Sequence, residues 1–130
     1  MPYLEHCKVV NDDELDRSRR DQCLASGINP EQHCCLQIAY YISRPVECQS
    51  QGPNRVLDWI APWNEYRIPV SYDGNASTLI SFCPWCAAKL PESRRDLWYK
   101  TLYELGYTDP SEQNVPEEFN SDMWWRKRGI

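Results

Sequence analysis

Seven cysteines, at positions 7, 23, 34, 35, 48, 83 and 86, are the residues of this chain whose spacing points to chemistry. Cys83-Pro84-Trp85-Cys86 is a C-x-x-C, and Cys34-Cys35 is a vicinal pair separated from it by the 47 residues 36–82. Zinc takes four thiolate or imidazole ligands in a tetrahedron, and a C-x-x-C at the end of a strand sets two thiolates on one side of a tight turn. The same motif can serve as a redox dithiol, which is expected at a helix start after a buried strand of a βαβ unit. No such unit is apparent, and a second thiol cluster is present, so the residues favour a metal. The ligands expected are Cys34, Cys35, Cys83 and Cys86, the C-x-x-C pair being the firmer. Neighbouring strand residues point to opposite faces, so Cys34 and Cys35 converge only where the backbone turns. His33 with Cys35, or one of the vicinal pair with Cys48, are the alternatives. Four protein ligands leave no open position, so the metal expected is structural zinc.

Other chemistry is thinly supplied. The chain has two histidines, His6 and His33, and no G-x-S-x-G, H-E-x-x-H, phosphate loop or dinucleotide fingerprint. Cys48 lies beside Glu47, whose charge would raise rather than lower a thiol pKa. No catalytic residues and no small-molecule substrate are expected, and the chain reads as a non-enzyme. Met1-Pro2-Tyr3-Leu4-Glu5-His6 has neither a basic nor an apolar stretch of an export signal. A cytoplasmic setting, with reduced thiols, is the expectation.

Positioning those cysteines requires a few elements. Tyr66 to Tyr72 and Ala76 to Phe82 are rich in β-branched and aromatic residues around Asp73-Gly74-Asn75, a hairpin signal. The second strand runs straight into Cys83. Pro69 cannot donate to a ladder, so its strand should lie at an edge or turn that amide outward. Leu36 to Ile42 reads as either a short helix or a strand, ended by Pro45, with a loop from Gln49 to Asn54. A helix is expected from about Ser93 to Leu105, with Ser93 and Asp96 as a capping box and Gly106 as its stop. Its apolar stripe is Leu97, Trp98, Thr101, Leu102 and Leu105, which places Trp98 in a core. A further helix from about Asp12 to Ser26, ended by Gly27, carries little apolar surface and fits a solvated extension as well as a docked helix.

Charge and composition divide the chain. Residues 1–33 carry four basic and seven acidic side chains, residues 34–106 seven of each, and residues 107–130 three and five. The neutral middle holds five of the seven cysteines and four of the six tryptophans, which marks it as the core module. The expected organisation is an extension at 1–32, a module at 33–106 and a tail at 107–130. The fold class expected is α+β: a small zinc-ribbon-like β-hairpin module with a packed C-terminal helix and irregular extensions. A module of this size draws only ~3–5 kcal/mol from its core, whereas a structural zinc can add ~10–16 kcal/mol of apparent folding free energy. A net charge of -5 and a pI near 5.0 argue against a protein that mainly grips phosphates. No apolar run approaches the ~18 residues of a membrane span.

The pattern His33-Cys34-Cys35, Glu65-Tyr66-Arg67-Ile68-Pro69-Val70, Tyr72-Asp73-Gly74-Asn75 and Ile80-Ser81-Phe82-Cys83-Pro84-Trp85-Cys86 with Lys89-Leu90-Pro91 resembles a family of small cysteine-rich, zinc-ribbon-like proteins of bacteria and phages, a domain of unknown function. The resemblance covers about residues 33–106. The family pattern has glycine directly after the second C-x-x-C cysteine, in the left-handed turn of the knuckle, where this chain has Ala87. The resemblance implies a metal-supported fold and a phage or bacterial setting.

Six tryptophans and eight tyrosines exceed what a small core hides, and Trp, Tyr and Arg dominate binding hot spots. The function expected is therefore a protein-interaction module, with Trp124, Trp125, Arg126 and Arg128 meeting a protein partner. In a phage setting that partner is a host or defence protein that the module inhibits or regulates. A nucleic-acid-binding zinc ribbon, using the same aromatics with Arg94-Arg95 and Arg126-Lys127-Arg128, is the first alternative. A thiol oxidoreductase is the second.

Overall fold

The computed structural model describes residues 12–43, 56–71 and 75–130. His6, Cys7, Pro45, the Glu47-Cys48 pair, the loop from Gln49 to Asn54 and the Asp73-Gly74 turn lie outside the described residues.

Helix α1, Asp12–Ala25, opens on acidic residues that suit the positive end of its dipole. It ends in a left-handed Gly27 at φ 77°, with the Ile28 amide reaching back to the Cys23 carbonyl at 2.9 Å. The chain then makes a 3-10 turn, Pro30–Gln32, where Asn29 Oδ1 accepts the Glu31 amide. His33-Cys34-Cys35 follow, and α2 runs over Leu36–Ser43. The segment that reads as helix or strand is thus a helix. It buries Ile38, Ala39 and Ile42. Helix α1 packs on it through fully buried Cys23, through the Arg19 guanidinium over the Tyr40 ring, and through the Ser26 hydroxyl donating to the Ser43 carbonyl.

Three short strands form an antiparallel sheet in the order β1-β2-β3, with β1 Asp58–Ile60, β2 Glu65–Pro69 and β3 Ser77–Leu79. The expected hairpin strands are present, shorter than their apolar runs, in the register Arg67–Leu79, Ile68–Thr78 and Pro69–Ser77. Strand β1 had no sequence signal. It pairs Trp59 with Tyr66, and the link to β2 is a 3-10 turn, Ala61–Trp63, closed by a left-handed Asn64. With β1 in place, β2 is central and not an edge. Pro69 is tolerated because it sits past the reach of β1, and the flanking bonds Val70 N to Ala76 O and Ile80 N to Tyr66 O put its nitrogen on the side away from β3.

Helix α3 spans Arg95–Glu104. Ser93 Oγ accepts the Arg95 amide at 3.1 Å and gives its own proton to buried Glu65 Oε2 at 2.5 Å, so the start of α3 is tied to β2 rather than closed by Asp96. Only part of the expected stripe is buried. Trp98 and Leu102 are inside, whereas Leu97 is 37% and Leu105 54% exposed. The chain closes with a 3-10 turn, Glu117–Asn120, and a short helix α4, Met123–Arg128.

Two apolar cores result. One gathers Ile38, Ile42, Leu57, Tyr66, Cys83 and Leu90. The other gathers Trp98, Leu102, Phe119, Trp124 and Trp125, so residues 107–130, expected as a tail, supply three of its members. Trp59 packs against both. The architecture is α+β, and no helix among the described residues is long and apolar enough to cross a membrane.

Candidate metal centre

The loop after β3 folds into a knuckle. Cys83 N bonds Ala88 O at 2.8 Å, Leu90 N bonds Ser81 O at 2.8 Å, and Ala87 N bonds Cys83 O at 2.9 Å. Phe82 pairs with Lys89 across this small hairpin. The turn requires a left-handed residue, and Ala87 supplies it at φ 62°. The knuckle keeps the geometry glycine would favour, with a Cβ held in a region that costs ~1–2 kcal/mol. The amides of Trp85 and Cys86 both point at Cys83 Sγ at 3.4 Å.

The second arm is built differently. The 3-10 turn at Pro30–Gln32 swings the chain so that Cys34 and Cys35 precede the first turn of α2. There the backbone is neither strand nor helix, and vicinal side chains can face one point. The Ile38 amide, one of those at the start of α2 that lack a partner within the helix, reaches Cys35.

Cys34, Cys35, Cys83 and Cys86 present Sγ atoms all within 4.8 Å of one another. Cys35 Sγ is 3.7 Å from Cys83 Sγ, and Cys34 Sγ is 3.5 Å from Cys86 Sγ. A zinc tetrahedron with bonds of ~2.3 Å has sulfur–sulfur edges of ~3.8 Å, so the donor set fits such an ion. Burial is graded across the site: Cys83 is 2% exposed, Cys35 intermediate, Cys34 and Cys86 exposed.

Electrostatics explain why these sulfurs call for a cation. Partial desolvation by its neighbours raises the Cys34 thiol, exposed as the residue is, and hydrogen bonds with Cys86 and Cys83 add to it. Burial also raises Cys35, against the Ile38 amide. Cys86 is lowered, chiefly by the Ala88 amide. Four negative sulfurs at these distances repel strongly, and a bound divalent cation reverses that balance.

His33, an alternative ligand, turns away from the cluster. Its Nδ1 is 2.7 Å from the Tyr66 hydroxyl, and its ring meets Trp59 edge-on at 4.7 Å. Burial, then the charge of Arg126, lowers it to about 4, so the ring is neutral at pH 7. Burial likewise raises the Tyr66 hydroxyl. On the other flank, Trp85 stacks on Tyr41 of α2 with ring centroids 4.7 Å apart and planes 9° apart. Tyr41 and Tyr66 brace the site, and nothing in the sequence spacing singles them out.

A family model described as "Domain of unknown function (DUF6980)" matches residues 32–127. The chain belongs to the DUF6980 family. The matched DUF6980 span begins one residue before His33, holds all four clustered cysteines and includes every buried member of the aromatic core. Helix α1 precedes it. Comparisons with curated proteins and with solved structures found no match.

Of the residues expected to meet a partner in this DUF6980 chain, Trp124 and Trp125 are internal, whereas Arg126 is half-buried and Arg128 exposed. Trp124 is 0% and Trp125 7% exposed, and their indole N–H groups donate to Pro62 O at 2.7 Å and Ala61 O at 2.9 Å. On a strand the two rings would diverge. On helix α4, wedged against the Ala61–Trp63 turn and the Phe119 segment, both find cover. Arg126 pairs with Asp122 at 2.5 Å and lies over the Trp125 ring, while Arg128 bonds Trp124 O and Glu118. Arg94 and Arg95 cover Trp125 and Trp63. Each of these arginines thus makes a contact within the fold, although Arg95 and Arg128 stay exposed.

Proposed function

We propose that this protein is a non-catalytic, zinc-stapled module that acts by binding another protein. The observation that carries the metal half is the convergence of Cys34, Cys35, Cys83 and Cys86 within 4.8 Å. Four thiolates complete a zinc shell and leave no site for substrate, which favours a structural role over catalysis. Such a site persists where thiols stay reduced, which favours the cytoplasm. The C-x-x-C knuckle is the zinc-ribbon feature, and the start of α2 takes the place of a second hairpin.

The interaction half rests on what remains exposed. With the tail tryptophans buried, the large apolar side chains nearest the knuckle are Leu79, Phe82 and Trp85, at 46%, 60% and 37% exposure. They follow one another along the path from β3 into the metal site, and aromatic residues are strong anchors. The resemblance to bacterial and phage proteins favours a host or defence protein as the partner, with the module as its inhibitor or regulator.

Elemental analysis of protein purified without added metal should give one zinc per chain, and its absence would end the metal reading. A photo-crosslinker at position 79 should trap one protein in the native host, and Phe82→Asp should abolish that crosslink without changing the circular dichroism. A crosslink to nucleic acid, or none that depends on Phe82, would overturn the interaction reading.

A further inference from the structure

The four thiols of the metal centre are not equivalent. Cys35 and Cys83 form an inner pair, with Cys83 almost fully buried in the first core. Cys34 and Cys86 form an outer pair, exposed to solvent and 3.5 Å apart. Trp85, the residue before Cys86, is pinned on Tyr41, which holds the outer rim of the knuckle against α2. A disulfide needs its sulfurs ~2.05 Å apart, so the outer pair closes by a movement smaller than one bond length. Of the four, only these two are a close pair with both members exposed.

We propose that Cys34 and Cys86 are a peroxide-reactive pair that converts the metal staple into a covalent one. This rests on the zinc reading above. One thiolate of the pair attacks a peroxide oxygen, the O–O bond breaks, and hydroxide leaves to become water on taking a proton. The sulfur becomes a sulfenic acid. The second thiolate then attacks that sulfur, the S–O bond breaks, and a second hydroxide takes a proton and leaves as water. In total, two thiolates, one hydrogen peroxide and two protons give one disulfide and two waters. The sulfurs are oxidised by two electrons and the peroxide is reduced by two.

The result differs from simple metal loss. Zinc would retain only Cys35 and Cys83 and be released, since two thiolates do not hold it in competition with a chelator. The new bond would join the start of α2 to the knuckle, the same two segments the metal joined. Oxidation would therefore release zinc while keeping the arms together, whereas chelation under reducing conditions would part them.

The test uses the full chain, first shown to hold one zinc per chain under reducing conditions. One equivalent of hydrogen peroxide is added with a chromogenic zinc indicator present, followed by alkylation and peptide mapping. The expected result is release of about one zinc per chain, a dominant Cys34–Cys86 disulfide, alkylated Cys35 and Cys83, and helical circular dichroism closer to the zinc-loaded than to the chelated protein. Dithiothreitol with zinc should restore the starting state. Zinc retained at one equivalent of peroxide, or a dominant disulfide through Cys83, Cys7, Cys23 or Cys48, would overturn the proposal and leave the zinc reading standing. A chain that takes up no zinc before peroxide is added would overturn both.

Discussion

The two cores solve the same problem with different means. The first, around Ile38, Leu57, Tyr66 and Cys83, is aliphatic and small, and four thiols at its margin draw its two arms together. The second is almost wholly aromatic and needs no thiol. Its Trp98, Trp124 and Trp125 each give their indole N–H to a backbone carbonyl, at Phe119, Pro62 and Ala61. An aromatic ring buries enough surface, and fixes enough orientation through one hydrogen bond, to close a core from short helices alone. Aliphatic residues of α2 and the strands cannot do this in so few positions, and the knuckle supplies the missing tie. Trp59 touches both cores, with its N–H on Asn64 Oδ1 at 2.9 Å.

Metal removal should separate the two most. Structural zinc contributes ~10–16 kcal/mol in comparable small domains. Chelation under reducing conditions should therefore erase hydrogen-exchange protection in α2 and residues 80–90 while α3 keeps a measurable part of its own. Simultaneous loss at both would show that the cores are one cooperative unit. Next in size is Trp124→Ala, which removes a fully buried ring stacked on Phe119 and should cost ~3–5 kcal/mol in denaturant unfolding of the zinc-loaded protein. Zinc affinity should change far less, since Trp124 belongs to the second core and not to the one that holds Cys83. A parallel fall in zinc affinity would erase the distinction drawn here.

Smaller effects address the junction and the turn. Trp59→Phe keeps most of the ring but loses the bond to buried Asn64, and should cost ~1–3 kcal/mol by leaving that acceptor unpaired. Both cores should then melt at lower temperature. Ala87→Gly should give the smallest change, a gain of up to ~1 kcal/mol, because the left-handed φ of 62° strains alanine and not glycine. Thermal melting of the zinc-loaded variant would show it, and a drop in stability would mean the Ala87 methyl packs usefully.

Much of the first core and its site was legible because the signals were local. The C-x-x-C, the apolar runs at 66–72 and 76–82 and the vicinal cysteines each announce themselves within a few residues. The sequence also placed Trp98 correctly, from its spacing with Leu102. Other features depend on contacts between distant residues. Strand β1 has only three residues and no period to detect. His33 sits next to two of the clustered cysteines in sequence, yet its ring is claimed by Tyr66, 33 positions on. Trp124 and Trp125 read as partner-binding because nothing local covers both, and their cover is the Ala61–Trp63 turn more than 60 residues earlier. Leu97 and Leu105 show the converse, an apolar stripe with no surface opposite part of it.

The wide sequence spacing of the four clustered cysteines has a consequence for biosynthesis. Cys34 and Cys35 leave the ribosome well before Cys86 does. At ~5–20 residues per second that interval is roughly 3–10 s, during which the vicinal thiols have no partners from the knuckle. A nascent chain therefore passes through a window in which it can be oxidised or can lend its sulfurs to the wrong ion. If the four thiols take up a metal, the site cannot be completed before the knuckle cysteines follow.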